Sequence, residues 1–204
     1  MPGDHAAHVG KAQPVFEDLS GHGTDFPSRT CAGVRHDAGI SPLRVLVLAD
    51  THVRGDLSKL PADVWDHVED AHVVLHAGDV VTADLLDALR VRRPVHAVLG
   101  NNDATLVGAL PDRLDLELAG VRIAMVHDSG ARAGRERRVH RWFPDAQLVV
   151  FGHSHEPVDV EGIEGQRLFN PGSAVQRRRQ PRRTVGRLQL AEGHIVRHEI
   201  VPVS

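Results

Sequence analysis

The feature that most constrains the fold is an apolar run at residues 43–49 that ends abruptly in polar side chains. The run is rich in leucine and valine, and Asp50 and His52 follow it. A continuous apolar run of this length predicts a buried strand that leads into a loop. On an extended chain, side chains two positions apart project to the same side. The carboxylate and the imidazole could therefore begin a metal site, although strands also end in Asp-x-His by chance.

Two further apolar runs, residues 71–77 and 94–99, also end in polar loops. Helical segments separate the three runs. Pro61 and neighbouring acids favour a helix over residues 61–71, and Thr82 predicts the N-cap of a second helix. The apolar positions of the two helices are Val64, Trp65, Val68 and Ala71, then Leu85, Leu86 and Leu89. Alternating strands and helices predict a parallel sheet, and such sheets carry their sites at the carboxyl ends of the strands.

The second half of the chain has a different pattern. Residues 113–118 alternate strictly, Ala119-Gly120 makes a turn, and residues 121–126 return, which predicts an antiparallel hairpin. A basic segment at 131–141 is predicted helical. Further strands are predicted at 147–151, 158–163, 167–170, 184–190 and 194–201. The interpretation is an α/β fold: a single-domain two-sheet α/β sandwich, parallel in its first half and largely antiparallel afterwards, with helices flanking the mixed sheets.

Composition limits the classes of function. With 204 residues the chain can bury one substantial core, and a net charge of −3 gives no general argument for nucleic-acid or membrane binding. One cysteine excludes an intrachain disulfide and suits a reducing compartment. Because we find no leader pattern and no run of transmembrane length, we expect a cytoplasmic protein without membrane contact. Residues 1–42 are rich in Gly, Pro and His without a period, and we expect a disordered extension before a domain at 43–204.

Polar residues that could hold a metal stand at five predicted strand ends. They are Asp50-x-His52, Gly78-Asp79, Gly100-Asn101, His127 and Gly152-His153-x-His155. Taken singly, Gly-Asp and Gly-Asn are ordinary turns, and a lone histidine is more often a hydrogen-bonded structural residue. His153-x-His155 is more specific, because on an extended strand both imidazoles face the same way. All five in this order, each after an apolar strand, argue against coincidence.

These motifs resemble those of the calcineurin-like metallophosphoesterase superfamily over about residues 43–204. The length and Asn170-Pro-Gly-Ser173 are similar to its small bacterial and archaeal phosphodiesterase branch. The resemblance implies a metallo-dependent phosphatase-like fold and two divalent metal ions. One would be held by Asp50, His52 and His155, the other by Asn101, His127 and His153, and Asp79 would bridge them.

Carboxylate, amide and imidazole ligands suit divalent transition metals, and among these the resemblance favours Mn²⁺, with Fe, Ni²⁺, Zn²⁺ or Co²⁺ as alternatives. Two such ions roughly 3.5–4 Å apart can acidify a shared water and polarise a phosphoryl group. The resemblance thus implies a phosphodiesterase in which Asp79, Asn101, Asp103 and His127 are catalytic. Asp103 would orient its neighbours rather than bind metal.

The sequence departs from much of the superfamily at Asn102, where many members carry a histidine that protonates the leaving group. An amide cannot act as a general acid near neutral pH, so we expect Asn102 to bind substrate only. The resemblance also suggests phosphate contacts from Asn170 and Ser173, although the motif is first of all a turn. Asp128 is predicted to support the site from behind.

The expected partner is a small-molecule phosphate ester, and a homo-oligomer is left open. Two other classes of function also stay open. One is a non-catalytic metal-binding scaffold, as in the retromer subunit of this family. The other is a nuclease or nucleotide phosphohydrolase, supported only by the arginine-rich segment at 177–183, which could attract anions or be a solvated loop. Scarce aromatic residues argue against a dedicated nucleic-acid binder.

Overall fold

A computed structural model describes residues 41–204. The predicted extension at residues 1–42 lies outside the described residues except for Ser41 and Pro42, and its predicted disorder stays a prediction. The strands are β1 Leu43–Leu48, β2 Val73–His76, β3 Val95–Ala97, β4 Arg113–Leu118, β5 Val121–Val126, β6 Leu148–Val150, β7 Val158–Glu161, β8 Arg167–Asn170, β9 Arg183–Ala191 and β10 His194–Val203. The α-helices are α1 Ala62–Asp70, α2 Ala83–Arg90 and α3 Arg135–Trp142.

The first sheet has the strand order β10-β9-β1-β2-β3. Strands β1, β2 and β3 are parallel, as the alternation of strands and helices predicts, with Val45 opposite Val73 and Val74 opposite Val95. Strands β9 and β10 form an antiparallel hairpin whose first strand pairs with β1. The last two strands, β9 and β10, therefore complete the sheet that β1 begins.

The second half of the chain is largely antiparallel, as predicted, because β4–β5, β7–β8, β1–β9 and β9–β10 are all antiparallel pairs, but the second sheet also contains parallel pairs. The order of this sheet is β4-β5-β6-β8-β7, and both β5–β6 and β6–β8 are parallel pairs. Only the outer pairs, β4–β5 and β7–β8, are antiparallel. The two parallel pairs arise because a crossover through α3 and a crossover through β7 return the chain in the same direction, and single-strand patterns do not report strand direction.

The helices match their predicted positions with two differences. Helix α3 begins only after Gly134, whose φ of 69° is left-handed, rather than at residue 131. Thr82 occupies the N-cap of α2, but its side chain makes no capping bond and donates to the carbonyl of Val53 at 3.3 Å. The Thr82 hydroxyl thus ties two loops of the site together instead of completing the helix.

The two sheets pack face to face, and helices cover their outer faces. On β1, Val45 and Val47 face the second sheet, where they share a cluster with Ile123 and Phe169, among others. The alternate residues of β1 face α1 and α2, and the second sheet packs its other face on α3. This period-2 alternation with burial on both sides is why the β1 sequence is apolar throughout.

The predicted sandwich is confirmed, and it places the carboxyl ends of β1, β2, β3, β5 and β6 at one edge. Among residues 41–204, no helix combines the length and apolarity needed to cross a bilayer.

Candidate metal centre

One side of the candidate site consists of Asp50, His52 and His155. Their ligand atoms lie within 4.8 Å of one another. The Nε2 atoms of the two histidines are 3.2 Å apart, and His155 Nε2 lies 3.5 Å from Asp50 Oδ1. Two imidazole nitrogens and a carboxylate oxygen that converge on one point form a ligand set for a divalent cation.

The other side brings together His127, Asn101 and His153. The amide oxygen of Asn101 is 3.0 Å from His127 Nε2 and 2.9 Å from His153 Nδ1. His127 Nδ1 lies 2.7 Å from the carbonyl of Ala77, to which it donates, so Nε2 is the ring nitrogen that faces Asn101 and Asp79. Burial lowers the pKa of His127, but hydrogen bonds to Asp79 and to the Ala77 carbonyl outweigh this effect and raise it. An amide oxygen and two ring nitrogens again converge on one point.

Asp79 lies between these two groups. Its Oδ2 is 3.5 Å from His52 Nε2 on one side and 3.4 Å from His127 Nε2 on the other. Burial raises the pKa of Asp79, but hydrogen bonds from His127 and Asn102 outweigh this effect and lower the pKa well below its usual range. The carboxylate is therefore ionised at any neutral pH, and its oxygen can face two cations at once.

The loops that carry these residues are not extended, which corrects the expectation for Asp50-x-His52 and His153-x-His155. Asp50 and His52 have φ of 52° and 49°, and His153 and His155 have φ of 68° and 56°. These are left-handed conformations, which cost about 1–2 kcal/mol per non-glycine residue. The side chains converge because each loop turns sharply at the ligand, not because a strand continues through it.

Two glycines allow the loops to approach one another. A Cβ on Gly100 would lie 2.1 Å from the backbone nitrogen of Asp79. A Cβ on Gly78 would lie 2.6 Å from His127 Nδ1, and Gly78 also has a φ of 86°. Glycine is required at both positions because any side chain would push the ligand loops apart.

Asp103 holds the site from below. Its side chain is buried and accepts hydrogen bonds from the backbone nitrogens of Asp79 at 3.0 Å, Gly100 at 2.7 Å and Val81 at 2.6 Å. Both carboxylate oxygens are thus occupied by backbone donors. Asp103 is a positioning residue, as expected from its predicted orienting role, and it does not face the convergent ligand atoms.

Asn102 lies at the surface of the site. Its backbone nitrogen donates to Asp79 Oδ1 and its side-chain nitrogen to Asp79 Oδ2, both at 2.8 Å. The exposed amide is therefore next to Asp79 Oδ2, where it can donate to a bound anion but cannot supply a proton to a leaving group. Asp128 is exposed and accepts from the nitrogen of Gly130 at 2.6 Å, which closes its own turn.

The predicted substrate contacts of Asn170 and Ser173 need correction, because both residues are buried. Asn170 Nδ2 donates to the carbonyl of Gly152 at 2.9 Å, and its Oδ1 accepts from Gly172 at 2.9 Å. Ser173 Oγ donates to the carbonyl of Asp50 at 2.7 Å. Their polar groups are used by the loops, so these residues position the ligands and do not reach a substrate.

The electrostatics of Asp50 fit a cation. Its Oδ2 is buried and has no hydrogen-bond partner among the described residues. Burial raises the pKa of Asp50 to about 7, although nearby His127 opposes the rise. Burial also lowers the pKa of His155 to about 4 and lowers that of His52, so both rings stay neutral and keep a free lone pair. An orphaned carboxylate oxygen among neutral imidazoles is the environment that a divalent metal ion satisfies.

His76 is a residue of the site that the sequence patterns missed. It is the last residue of β2 and is fully buried, and its Nε2 lies 3.1 Å from the hydroxyl of Thr51. That hydroxyl donates weakly to the carbonyl of Asp79, at 3.4 Å. The available signal was that His76 is the one polar residue inside the apolar run 73–77. Burial lowers its pKa to about 3, so it is a neutral support beneath the ligand loops.

Comparisons with known proteins agree with this site. The chain is 30% identical over 129 residues to a probable metallophosphoesterase from Methanothermobacter thermautotrophicus, covering 62% of this chain and 74% of that protein. A predicted phosphoesterase from Streptococcus pneumoniae has a similar fold, with a TM-score of 0.60 and 20% identity, covering 80% of this chain and 99% of that chain.

The fold is also similar to that of a Vps29 single mutant from Entamoeba histolytica, with a TM-score of 0.63 and 22% identity, covering 79% of this chain and 99% of that chain. The model of the calcineurin-like phosphoesterase superfamily domain matches residues 43–193. That match spans all five loops that carry the candidate ligands, and this chain belongs to the calcineurin-like phosphoesterase superfamily.

Proposed function

We propose that the chain is a phosphodiesterase that works with two divalent metal ions. Asp50, His52 and His155 hold one ion, Asn101, His127 and His153 hold the other, and Asp79 bridges them. The observation that carries the proposal is the position of Asp79 Oδ2, which lies 3.5 Å and 3.4 Å from ring nitrogens of opposite ligand groups. When bound, two such ions supply Lewis-acid stabilisation and an acidified water for attack on phosphorus.

Hydrogen bonds within the chain hold the candidate ligands in position. Asp103 fixes the backbones of Asp79 and Gly100 through the hydrogen bonds described above. Ser173 fixes the backbone of Asp50. The exposed Asn102 amide, which donates to Asp79 Oδ2, would also be placed to donate to a phosphoryl oxygen of a bound substrate. No imidazole stands at position 102 to protonate the departing alcohol, which favours diesters whose leaving group is a weak base.

The donor set also limits the metal. Two carboxylates, one amide oxygen and four imidazoles are hard to borderline ligands, and the described residues place no thiolate among them. Mn²⁺ is our first assignment, with Fe, Ni²⁺, Zn²⁺ and Co²⁺ as alternatives. We assign the protein to the cytoplasm on the composition arguments above, acting on a small-molecule phosphate ester.

A metal-binding scaffold is the second candidate, and the similarity in fold to Vps29 favours it. Against it stands the complete set of seven side chains with metal-binding groups, since a scaffold could lose such ligands freely. A nuclease is the third candidate and rests on the arginine-rich segment alone.

Hydrolysis after metal removal tests the proposal. The protein is stripped with EDTA, reloaded with Mn²⁺, Ni²⁺, Zn²⁺ or Mg²⁺, and assayed on bis(p-nitrophenyl) phosphate and p-nitrophenyl phosphate. We expect a transition metal to restore cleavage with a preference for the diester. Tight binding of metal without turnover of either ester would favour the scaffold, and salt-sensitive cleavage of single-stranded DNA or RNA would favour the nuclease.

His153→Ala separates the two-metal assignment from a one-metal site. The exposed side chain of His153 lies 2.9 Å from Asn101 Oδ1, and only its backbone nitrogen, which the substitution keeps, donates to Asp50. We expect the variant to fold, to keep the Asp50 side, and to lose turnover. Full turnover of a metal-replete His153→Ala protein would contradict the two-metal assignment.

A further inference from the structure

The segment between β8 and β9 is fastened to one side of the metal centre. Ser173 Oγ donates to the carbonyl of Asp50 and also accepts from the backbone nitrogen of Gln176, at 2.7 Å and 2.9 Å. His155 Nδ1 lies 2.5 Å from the carbonyl of Gln176. The first residues of this segment therefore cannot move away from the candidate ligands Asp50 and His155 without breaking hydrogen bonds.

The arginines that follow Gln176 are not equivalent. Arg177 is used locally, since its Nη1 donates to the carbonyl of Gln180 at 2.9 Å while the Gln180 nitrogen donates back to the carbonyl of Arg177 at 2.8 Å. Arg178 is the next residue in that turn and is exposed, with a left-handed φ of 48°. Within residues 41–204 its guanidinium makes no hydrogen bond or ion pair. The turn presents Arg178 without giving it a protein partner.

Arg178 lies close enough to act on the metal centre. Two peptide units separate it from Gln176, so the two Cα atoms are at most about 7.6 Å apart, within the span of an arginine side chain. Burial is the main cause of the shifted pKa values of Asp50, His52 and His155, and the charge of Arg178 is a further cause that lowers all three. No other arginine of the segment is among these causes. The Arg178 side chain is therefore within reach of the Asp50 side of the centre, to which Gln176 is tied through His155.

We propose that Arg178 binds the phosphoryl group of the substrate beside Asp50, His52 and His155. The inference rests on the proposed phosphoesterase function. A fixed positive charge next to a divalent cation is repulsive, and only an anion between them makes the arrangement favourable. A guanidinium presents two parallel donors that match the spacing of two phosphoryl oxygens. Arg178 thus sets where the phosphate group lies, while the rest of the arginine-rich segment is a solvated surface.

The test compares Arg178→Ala with Arg179→Ala, which removes the same charge one residue further along the same exposed turn. We expect Arg178→Ala to raise both the KM for bis(p-nitrophenyl) phosphate and the inhibition constant of inorganic phosphate about tenfold, as for loss of one charge-assisted hydrogen bond. Arg179→Ala should change each less than twofold. Arg178→Lys should be intermediate because it keeps the charge and loses the paired donors. Metal content, measured by mass spectrometry, should not fall in any variant.

Equal effects of Arg178→Ala and Arg179→Ala would overturn the proposal in favour of a diffuse positive surface, and so would no effect of either. Calorimetric titration of the Mn²⁺-loaded protein with inorganic phosphate keeps the test independent of turnover. If the wild-type protein hydrolyses no diester, the proposed function fails. The assignment of Arg178 as a phosphate-binding residue is still supported if Arg178→Ala weakens phosphate binding and Arg179→Ala does not. Phosphate binding that is absent in the wild type or unchanged in Arg178→Ala refutes it.

Discussion

Replacing Asp50 by asparagine should stabilise the metal-free protein while abolishing its response to metal. Asp50 is fully buried, its Oδ2 has no partner among the described residues, and burial raises its pKa from 3.8 to about 7. Ionising such a group in the folded state costs up to about 4 kcal/mol relative to the unfolded chain. An amide of the same shape keeps the bond from the His153 nitrogen and removes the charge, at the expense of one unpaired N–H group worth about 1–2 kcal/mol. The net gain at pH 8 is about 2–3 kcal/mol.

The raised pKa of Asp50 determines how the free energy of unfolding changes with pH. A carboxyl group whose folded pKa is raised contributes stability that is complete below pH 4 and is lost as the pH rises through about 7. The advantage of Asp50→Asn should therefore be full at pH 8, should shrink as the pH falls, and should become a deficit of about 1–2 kcal/mol towards pH 4, where only the unpaired N–H group counts.

Urea denaturation of EDTA-treated wild type, Asp50→Asn and the control Asp115→Asn measures this effect. Asp115 is exposed on β4, so its replacement should change the free energy of unfolding by less than about 0.5 kcal/mol. Saturating Mn²⁺, at a hundred times its dissociation constant, should stabilise the wild type by about 2.7 kcal/mol and Asp50→Asn far less. A metal-free Asp50→Asn protein that is less stable than the wild type at pH 8, or a difference that does not change with pH, would refute the reasoning.

Three further predictions concern residues in or beneath the ligand loops. Gly100→Ala should destabilise the fold by about 3 kcal/mol or more and weaken metal binding, because the added Cβ would meet the Asp79 backbone. The control is Gly108→Ala, where no atom lies within 4 Å of the added Cβ. Measured by urea denaturation, this control should cost only the strain of its φ, about 1–2 kcal/mol. His76→Leu should reduce the acid sensitivity of the metal-free protein. A buried histidine whose pKa is lowered to about 3 contributes stability that is present above pH 6.5 and is lost as the pH falls, about 2 kcal/mol by pH 5 in a denaturation series. An unchanged dependence of the free energy of unfolding on pH would contradict this. Asn102→His should raise kcat for alkyl phosphodiesters relative to nitrophenyl phosphodiesters, because an imidazole at this position can donate a proton to the leaving group. The variant should also lose activity at high pH, where the imidazole is no longer protonated. An unchanged ratio of the kcat values for the two substrates would count against the assigned position of Asn102.

Local patterns were sufficient for those parts of the fold that depend on neighbouring residues. The apolar run before Asp50 predicts β1, and the strict alternation at 113–126 predicts the β4–β5 hairpin. The direction of β6 and β8 could not be predicted, because it depends on which strands become neighbours after two crossovers. The same limit hid the return of β9 to β1 from the far end of the domain.

The candidate site was predictable in its residue types but not in its backbone. The five polar strand ends do converge, yet the extended geometry expected for His153-x-His155 is replaced by left-handed turns, which depend on loop contacts such as those of Asp103. Asn170 and Ser173 look like substrate contacts in a motif, and only the structure reveals that their polar groups are consumed by the backbone. His76 was missed because its one signal, a single polar residue inside an apolar run, does not say which loop it supports.

The central claim, two metal ions bridged by Asp79, is tested most directly by anomalous scattering from crystals of the Mn²⁺-loaded protein. The account predicts two peaks roughly 3.5–4 Å apart on either side of Asp79 Oδ2, one beside His52 and His155 and one beside His127 and Asn101. The side chains also allow a different arrangement, since ligand atoms of Asp50, Asp79 and His127 lie within 4.8 Å of one another. A single peak among those three residues, with none beside His155 or His153, would contradict the account.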